Sequence, residues 1–265
     1  MSYSYNKKLA KGSNYGSKRS TSSIDYLVFH YTANDGDTDK GNASYFHNNN
    51  VGASAHYFVA DDSVTCSVPD NYVAWSVGSH GLLDQGSPYR EKGHKFWGKC
   101  TNANSISIEM CDTKKNGVHD LSAATRANAI ALGIKKCKEY NIPIDHVIRH
   151  CDVNGKLCPI YFVTHEDDWK DFKAEIAIGL TADTSKKETQ NPKVVLPVRG
   201  YFKQGDIGWK VTNLQKYLKR KGFYGGKIDG DYGPQTAKAV ILFEKAHKLD
   251  QDGMFGAKCL RYIVQ

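Results

Sequence analysis

Three side chains could ligate a metal or form a nucleophilic pair: two histidines at the ends of apolar runs and a cysteine shortly after the second. His30 lies in IDYLVFHY (24–31) and His150 closes HVIRH (146–150). Cys158 follows after seven intervening residues in RHCDVNGKLCP, with Lys156 two positions before it. Histidines at strand ends project from a sheet edge. Two imidazoles and a thiolate suit tetrahedral Zn²⁺ at about 2.0–2.3 Å per ligand, with the fourth position left for water, as in catalytic sites. The same residues allow a Cys–His nucleophilic pair. Cys151 is too close to His150 in sequence for that, leaving Cys158 with His30 or His150. A nucleophilic thiol is often set at a helix N-terminus, which lowers its pKa. Here Pro159 follows Cys158 and the stretch reads as a loop, which favours the metal.

The elements that must position these groups are legible as patterns. The β-branched and aromatic runs at 24–31, 53–60 (ASAHYFVA) and 104–111 (NSISIEMC) read as strands, and 146–150 as a short one. Ser122 reads as the N-cap of a helix whose apolar positions include Ala127, Ile130, Ile134 and Cys137, with Pro143 beyond its end. A closing helix is predicted over 165–180. Strands interleaved with helices predict an α/β unit, a mixed central sheet with helices on its faces.

The chain has 265 residues, 40% of them hydrophobic and 24% charged, and carries a formal +8. No apolar run approaches the ~18 residues of a membrane span. The polar start, MSYSYNKKLAKGSNYGSKRS, lacks the apolar core of a secretory signal, so the expectation is synthesis in the cytoplasm and action after release. Seven cysteines without CxxC or regular spacing argue against a disulfide framework. A Thr-, Ser-, Lys- and Pro-rich stretch within 181–200 reads as a linker between a unit at 1–180 and a module at 201–265. The module holds 12 Lys+Arg against 6 Asp+Glu, which favours anionic partners. It has no basic–aromatic stripe, so nucleic acid is not expected as a partner. It repeats D-G-x-[YF]-G before a helix at 229–233 and 252–256, and Val211, Leu214 and Leu218 share one helix face. Three short helices around one core are predicted.

The motifs HYTAN, NASYFHNNNVGASAHYFVADD, VPDNYVAW, NSISIEM and RHCDVNGKLCP together resemble the zinc-dependent N-acetylmuramoyl-L-alanine amidases of the type-2, peptidoglycan-recognition-protein-like family. The module is similar to the type-1 peptidoglycan-binding domain. The combination resembles phage endolysins and bacterial autolysins. The resemblance implies His30, His150 and Cys158 as zinc ligands, Glu109 of the SISIEM strand as general base, and Lys156 as a transition-state cation. It also implies cleavage of the amide between N-acetylmuramic acid and L-alanine. Some relatives place a catalytic tyrosine where this chain has Ala55, and many have WHAG where it has Ser76. A non-catalytic recognition protein is the alternative; the complete set of five residues argues against it.

His47, Trp75 and Trp97 read as candidates to line a substrate groove. His56 reads as a hydrogen-bonded core residue, Tyr57 as a strand residue, and His80, His94 and His119 as solvated. The expected partners are peptidoglycan and anionic wall polymers, without nucleic acid or membrane, and a monomer is expected.

Overall fold

A computed structural model describes residues 3–78, 86–115, 117–181 and 194–263. The chain divides into two units, Met1–Thr181 and Ala182–Gln265. Among the described residues no helix is long and apolar enough to cross a membrane.

The first unit runs β1 (Ser4–Lys7), β2 (Tyr15–Lys18), β3 (Tyr26–Tyr31), α1 (Asp39–Asn48), β4 (Tyr57–Val59), β5 (Ser63–Cys66) and β6 (Tyr72–Ala74). A 3-10 turn at Arg90–Lys95 precedes β7 (Ser105–Met110), the hairpin of β8 (Thr113–Lys115) and β9 (Val118–Asp120), and α2 (Ala123–Tyr140). The unit closes with β10 (Val147–Arg149), α3 (His150–Asn154), α4 (Ile160–Thr164) and α5 (Glu166–Thr181). Six strands form one mixed sheet in the order β1-β5-β4-β7-β3-β10. All its neighbours are parallel except β4 and β5.

One face of the sheet packs on α2 and α5. Leu27, Phe29, Ile106 and Ile108 meet Ala129, Leu132, Phe172 and Ile176 there, all fully buried. Each such large side chain contributes about 1.5–3 kcal/mol of transfer free energy. α2 starts where Ser122 Oγ accepts from Thr125 N–H at 3.0 Å, and Asn141 ends it at φ +55°. A buried ion pair, Arg126–Glu175 at 2.5 Å, ties α2 to α5. The other face carries a smaller cluster of Tyr26, Val28, Phe96, Ile148 and Val153.

Two elements differ from the sequence reading. Only Tyr57–Val59 of 53–60 joins the sheet, because Ser54 leaves it to bond Trp75 twice, through its N–H to Trp75 O and from Trp75 N–H to its Oγ, both at 3.0 Å. His150 opens a five-residue helix rather than ending a strand. Asp152 turns the chain there: its carboxylate accepts from Arg149 N–H at 2.8 Å and from the Arg149 guanidinium.

In the second unit, α6 (Trp209–Arg220), α7 (Pro234–Ala246) and the short α8 (Ala257–Leu260) surround a core of Leu214, Leu218, Val240 and Phe243. Tyr232 and Phe255, the aromatics of the two repeats, are fully buried in it. β11 (Tyr201–Phe202) pairs antiparallel with β12 (Phe255–Gly256). Most of the predicted linker, 182–193, lies outside the described residues.

Candidate active site

The alternation that builds the core also builds the site. On β3, Leu27 and Phe29 point at α2 and α5, so Val28 and His30 point the other way. On β7, Ile106, Ile108 and Met110 take the core face, leaving Ser107 and Glu109 on the opposite one. The two strands are parallel with His30 directly opposite Glu109. On β10, Ile148 pairs with Val28, so His150 two residues on comes level with His30. Three polar groups therefore meet on one face at the carboxyl ends of adjacent parallel strands, where α/β sheets hold their ligands.

The His30 and His150 rings lie 4.6 Å apart at 59°. Cys158 Sγ approaches His30 Nδ1 at 3.9 Å, and one donor atom from each of the three residues falls within 4.8 Å of the others. Glu109 Oε1 is 3.9 Å from His30 Nδ1. His30, His150 and Cys158 are each at least 95% buried, yet among the described residues His30 Nε2, His150 Nδ1 and the buried Oε2 of Glu109 have no hydrogen-bond partner. Buried polar atoms in folded proteins are nearly always paired; three bare ones on residues of one cluster mark a place for a ligand.

The electrostatics agree. Burial, then the neighbouring Lys156 charge, holds His150 down to about 3. Burial and His150 hold His30 well below its ordinary value. Both rings are neutral, the form that ligates metal. Burial and Glu109 push the Cys158 thiol up, opposed by the Tyr31 backbone N–H and Lys156, so a thiolate there calls for a cation beside it. Burial pushes Glu109 up to about 8, with Lys156 pulling it back. The donor set fits a metal ion.

A cleft of about 680 Å³ opens from the cluster. Lys156 lines it and is exposed. Trp75 lines it at 37% exposure, and Ala55 and Ser76 line it too. His47 and Trp97 are absent from its lining; His47 bonds Leu9 O through Nδ1 at 2.7 Å. The residues of α1 that do reach the cleft are Asn42, Tyr45 and Phe46. Their spacing of three and four puts them on one helix face, a signal the sequence offered and the reading passed over. Asn34 and Ser54 join them from loops.

His56 is buried and saturated: Ser107 Oγ at Nδ1, and Arg19 and Tyr72 O at Nε2. Tyr57 donates its hydroxyl to Asp70 at 2.7 Å on the core side. His119 is not solvated as predicted; its Nδ1 hydrogen-bonds the buried Asp112, which also accepts from Thr32 Oγ1 and braces the loop after β3. His80 and the His94 side chain lie outside the described residues.

Comparison with known proteins matches residues 20–161 to the family described as N-acetylmuramoyl-L-alanine amidase, and residues 208–263 to a putative peptidoglycan binding domain. N-acetylmuramoyl-L-alanine amidase CwlA of Bacillus subtilis (strain 168) is 32% identical over 93% of this chain and 92% of its own length. CwlL of Bacillus licheniformis, also an N-acetylmuramoyl-L-alanine amidase, is 31% identical over 87% of this chain and 63% of its own. Among solved structures, the PlyG catalytic domain aligns with TM-score 0.51 and 29% identity, over 69% of this chain and 99% of that one. A mutant endolysin from Bacillus subtilis aligns with TM-score 0.50 and 28% identity, over 66% and 99%. By sequence along nearly its whole length and by the fold of its first unit, the chain belongs to the N-acetylmuramoyl-L-alanine amidase family.

Proposed function

We propose that this protein hydrolyses the amide joining N-acetylmuramic acid to L-alanine in peptidoglycan, with Zn²⁺ held by His30, His150 and Cys158. The observation that carries this reading is the buried trio of donors, two with a bare ring nitrogen, set beside Glu109, whose Oε2 has no partner among the described residues, at the head of a cleft. Zn²⁺ bound by such a set lowers the pKa of water toward ~7 and polarises a carbonyl.

The chain's own residues supply the rest. Glu109 Oε2 takes the proton of the attacking water and returns it to the leaving nitrogen. Its carboxyl is poised for both: burial raises it, while Lys156 lowers it, and a cation in the cluster would lower it further. Lys156, exposed on the cleft wall, stabilises the developing oxyanion, a role whose loss typically costs ~100–1000-fold. Ala55 leaves no phenol at the position some relatives use, so Glu109 works alone as base. Trp75 presents an indole face to the saccharide. The module at 201–265 holds the enzyme on the wall, and its excess of lysine and arginine favours anionic wall polymers. The enzyme acts at the cell wall.

Mass spectrometry of digested peptidoglycan tests the reaction. New L-alanine amino termini without new reducing sugars are expected; new reducing ends alone would make the protein a glycosidase and sink the proposal. Glu109→Gln should keep zinc and wall binding and lose ~100-fold or more in turnover.

A further inference from the structure

We infer that the 3-10 turn at Arg90–Lys95 is a brace for the loop carrying Lys156 and Cys158, and that Gly93 is a positioning residue for the site, 57 positions from His150. The inference rests on the zinc reading above. Two backbones touch here with no side chain between them. A Cβ on Gly93 would lie 2.4 Å from Gly155 N and 2.5 Å from Asn154 C; one on Gly155 would lie 2.6 Å from Arg90 Cα. Real Cβ contacts do not fall below 3.0 Å, and every atom met is backbone, which cannot swing aside. A methyl at either place must part the two segments.

What it would part is the turn after α3. Gly155 adopts φ +80° and ends that helix. Asn154, just before, holds two things at once. Its side-chain amide meets His150 Nε2 at 3.0 Å, and its Oδ1 accepts from Lys156 N–H at 3.0 Å. The ring orientation of a proposed ligand and the start of the segment leading to Lys156 and Cys158 therefore depend on the side chain of a residue whose backbone lies against Gly93. The partner on the other ring nitrogen of a metal-bound histidine fixes that ring.

The brace is anchored independently of this contact. Phe96 is buried against Tyr26, Ile148 and Val153, and its N–H bonds Asp152 O at 3.3 Å. Lys92 Nζ reaches Glu166 at 2.8 Å, and Glu166 also accepts from Arg149, the residue before His150. A methyl at Gly93 meets a turn braced from behind, so the displacement passes to Asn154.

The test compares Gly93→Ala with Gly98→Ala in the full zinc-loaded protein. Gly98 lies just beyond the same turn, at φ +69°, with nothing among the described residues within 4 Å of its Cβ position. Alanine there strains the segment without pushing anything. Gly93→Ala should lower kcat about 10–100-fold with KM within about twofold, since a displacement of ~1 Å can cost that much. It should also shorten the half-life of zinc under chelator and alter the visible absorption of the Co²⁺-substituted protein, readouts that a loss of folded protein alone does not move. Gly98→Ala should match wild type in all three. Equal kcat and zinc release in Gly93→Ala and wild type would overturn the brace, as would equal losses in both variants. Should Gly93→Ala fail to fold, Asn154→Ala removes the relay without a clash; wild-type zinc release and kcat there would overturn the inference. A wild-type chain that retains no zinc overturns the zinc reading and the brace together, whereas an active, zinc-bound wild type with an indifferent Gly93→Ala overturns the brace alone.

Discussion

Two buried polar centres in this protein are built on opposite principles. In the wall-binding module, Gln215 is fully buried, and both ends of its amide are engaged. Its Oε1 accepts from Asp229 N–H at 3.1 Å and Gly230 N–H at 2.9 Å; its Nε2 faces Asp229 Oδ1, Asp231 O and Thr236 Oγ1 at 2.8–3.0 Å. In the catalytic unit, His30 and His150 are nearly as deep and Glu109 is half-buried beside them, but among the described residues each keeps a buried atom with no partner. A saturated centre stabilises its fold, because breaking it leaves donors stranded. An unsaturated one costs stability until something fills it. His56 shows that burial alone does not separate the two cases. It is as buried as His30 and lies in the same unit, but its ring is bonded at both nitrogens and holds loops together.

The largest effect that could break this contrast is at the unsaturated centre. Cys158→Ser should lose zinc and nearly all turnover, since a hydroxyl does not ionise to a ligand as a thiolate does. Cys151→Ser, next to His150 and fully buried, should keep both. Metal content by atomic absorption after dialysis decides; zinc lost by Cys151→Ser and kept by Cys158→Ser would reverse the ligand assignment.

At the saturated centre the effect should appear in stability and not in chemistry. Gln215→Leu strands the Asp229 and Gly230 N–H groups, each worth about 1–3 kcal/mol when left unpaired. Urea unfolding of residues 194–265 should show at least that loss, while the full chain cleaves soluble muropeptide at its normal rate. A module as stable as wild type would mean that water replaces the amide.

The smallest effect concerns a third buried group, Glu244. It is 1% exposed, accepts from Gly253 N–H at 3.0 Å, and burial pushes its carboxyl up to about 7. Because the folded value lies above the ordinary 4.5, the folded module binds more protons than the unfolded chain between these values. The stabilisation is complete below about pH 4.5 and is lost as pH rises through 7. The Tm of the module should fall modestly from pH 5 to pH 8, and Glu244→Gln should flatten that slope. An unchanged slope in the variant would assign the pH dependence to another group.

The sequence by itself determined the elements and the chemistry they could carry. Alternation in YLVFHY and SISIEM separates core residues from His30 and Glu109, and this holds for any sheet that buries one face of these strands, because side chains alternate with period two. Ser122 as a cap and the two D-G-x-[YF]-G turns are local signals with local causes, and they were readable. What tertiary structure alone decided is which elements became neighbours. That β7, β3 and β10 lie side by side with His30 opposite Glu109 is a matter of strand order and register, set by packing across distances no local pattern spans. Likewise the cleft took Tyr45 from α1 and left His47 facing Leu9, because the helix's rotation on the sheet is fixed by Ala43 buried beneath it. The contact of Gly93 with Gly155 had no local signature at all. Both read as loop glycines, and only the fold brings the two backbones too close for any side chain to stand between them.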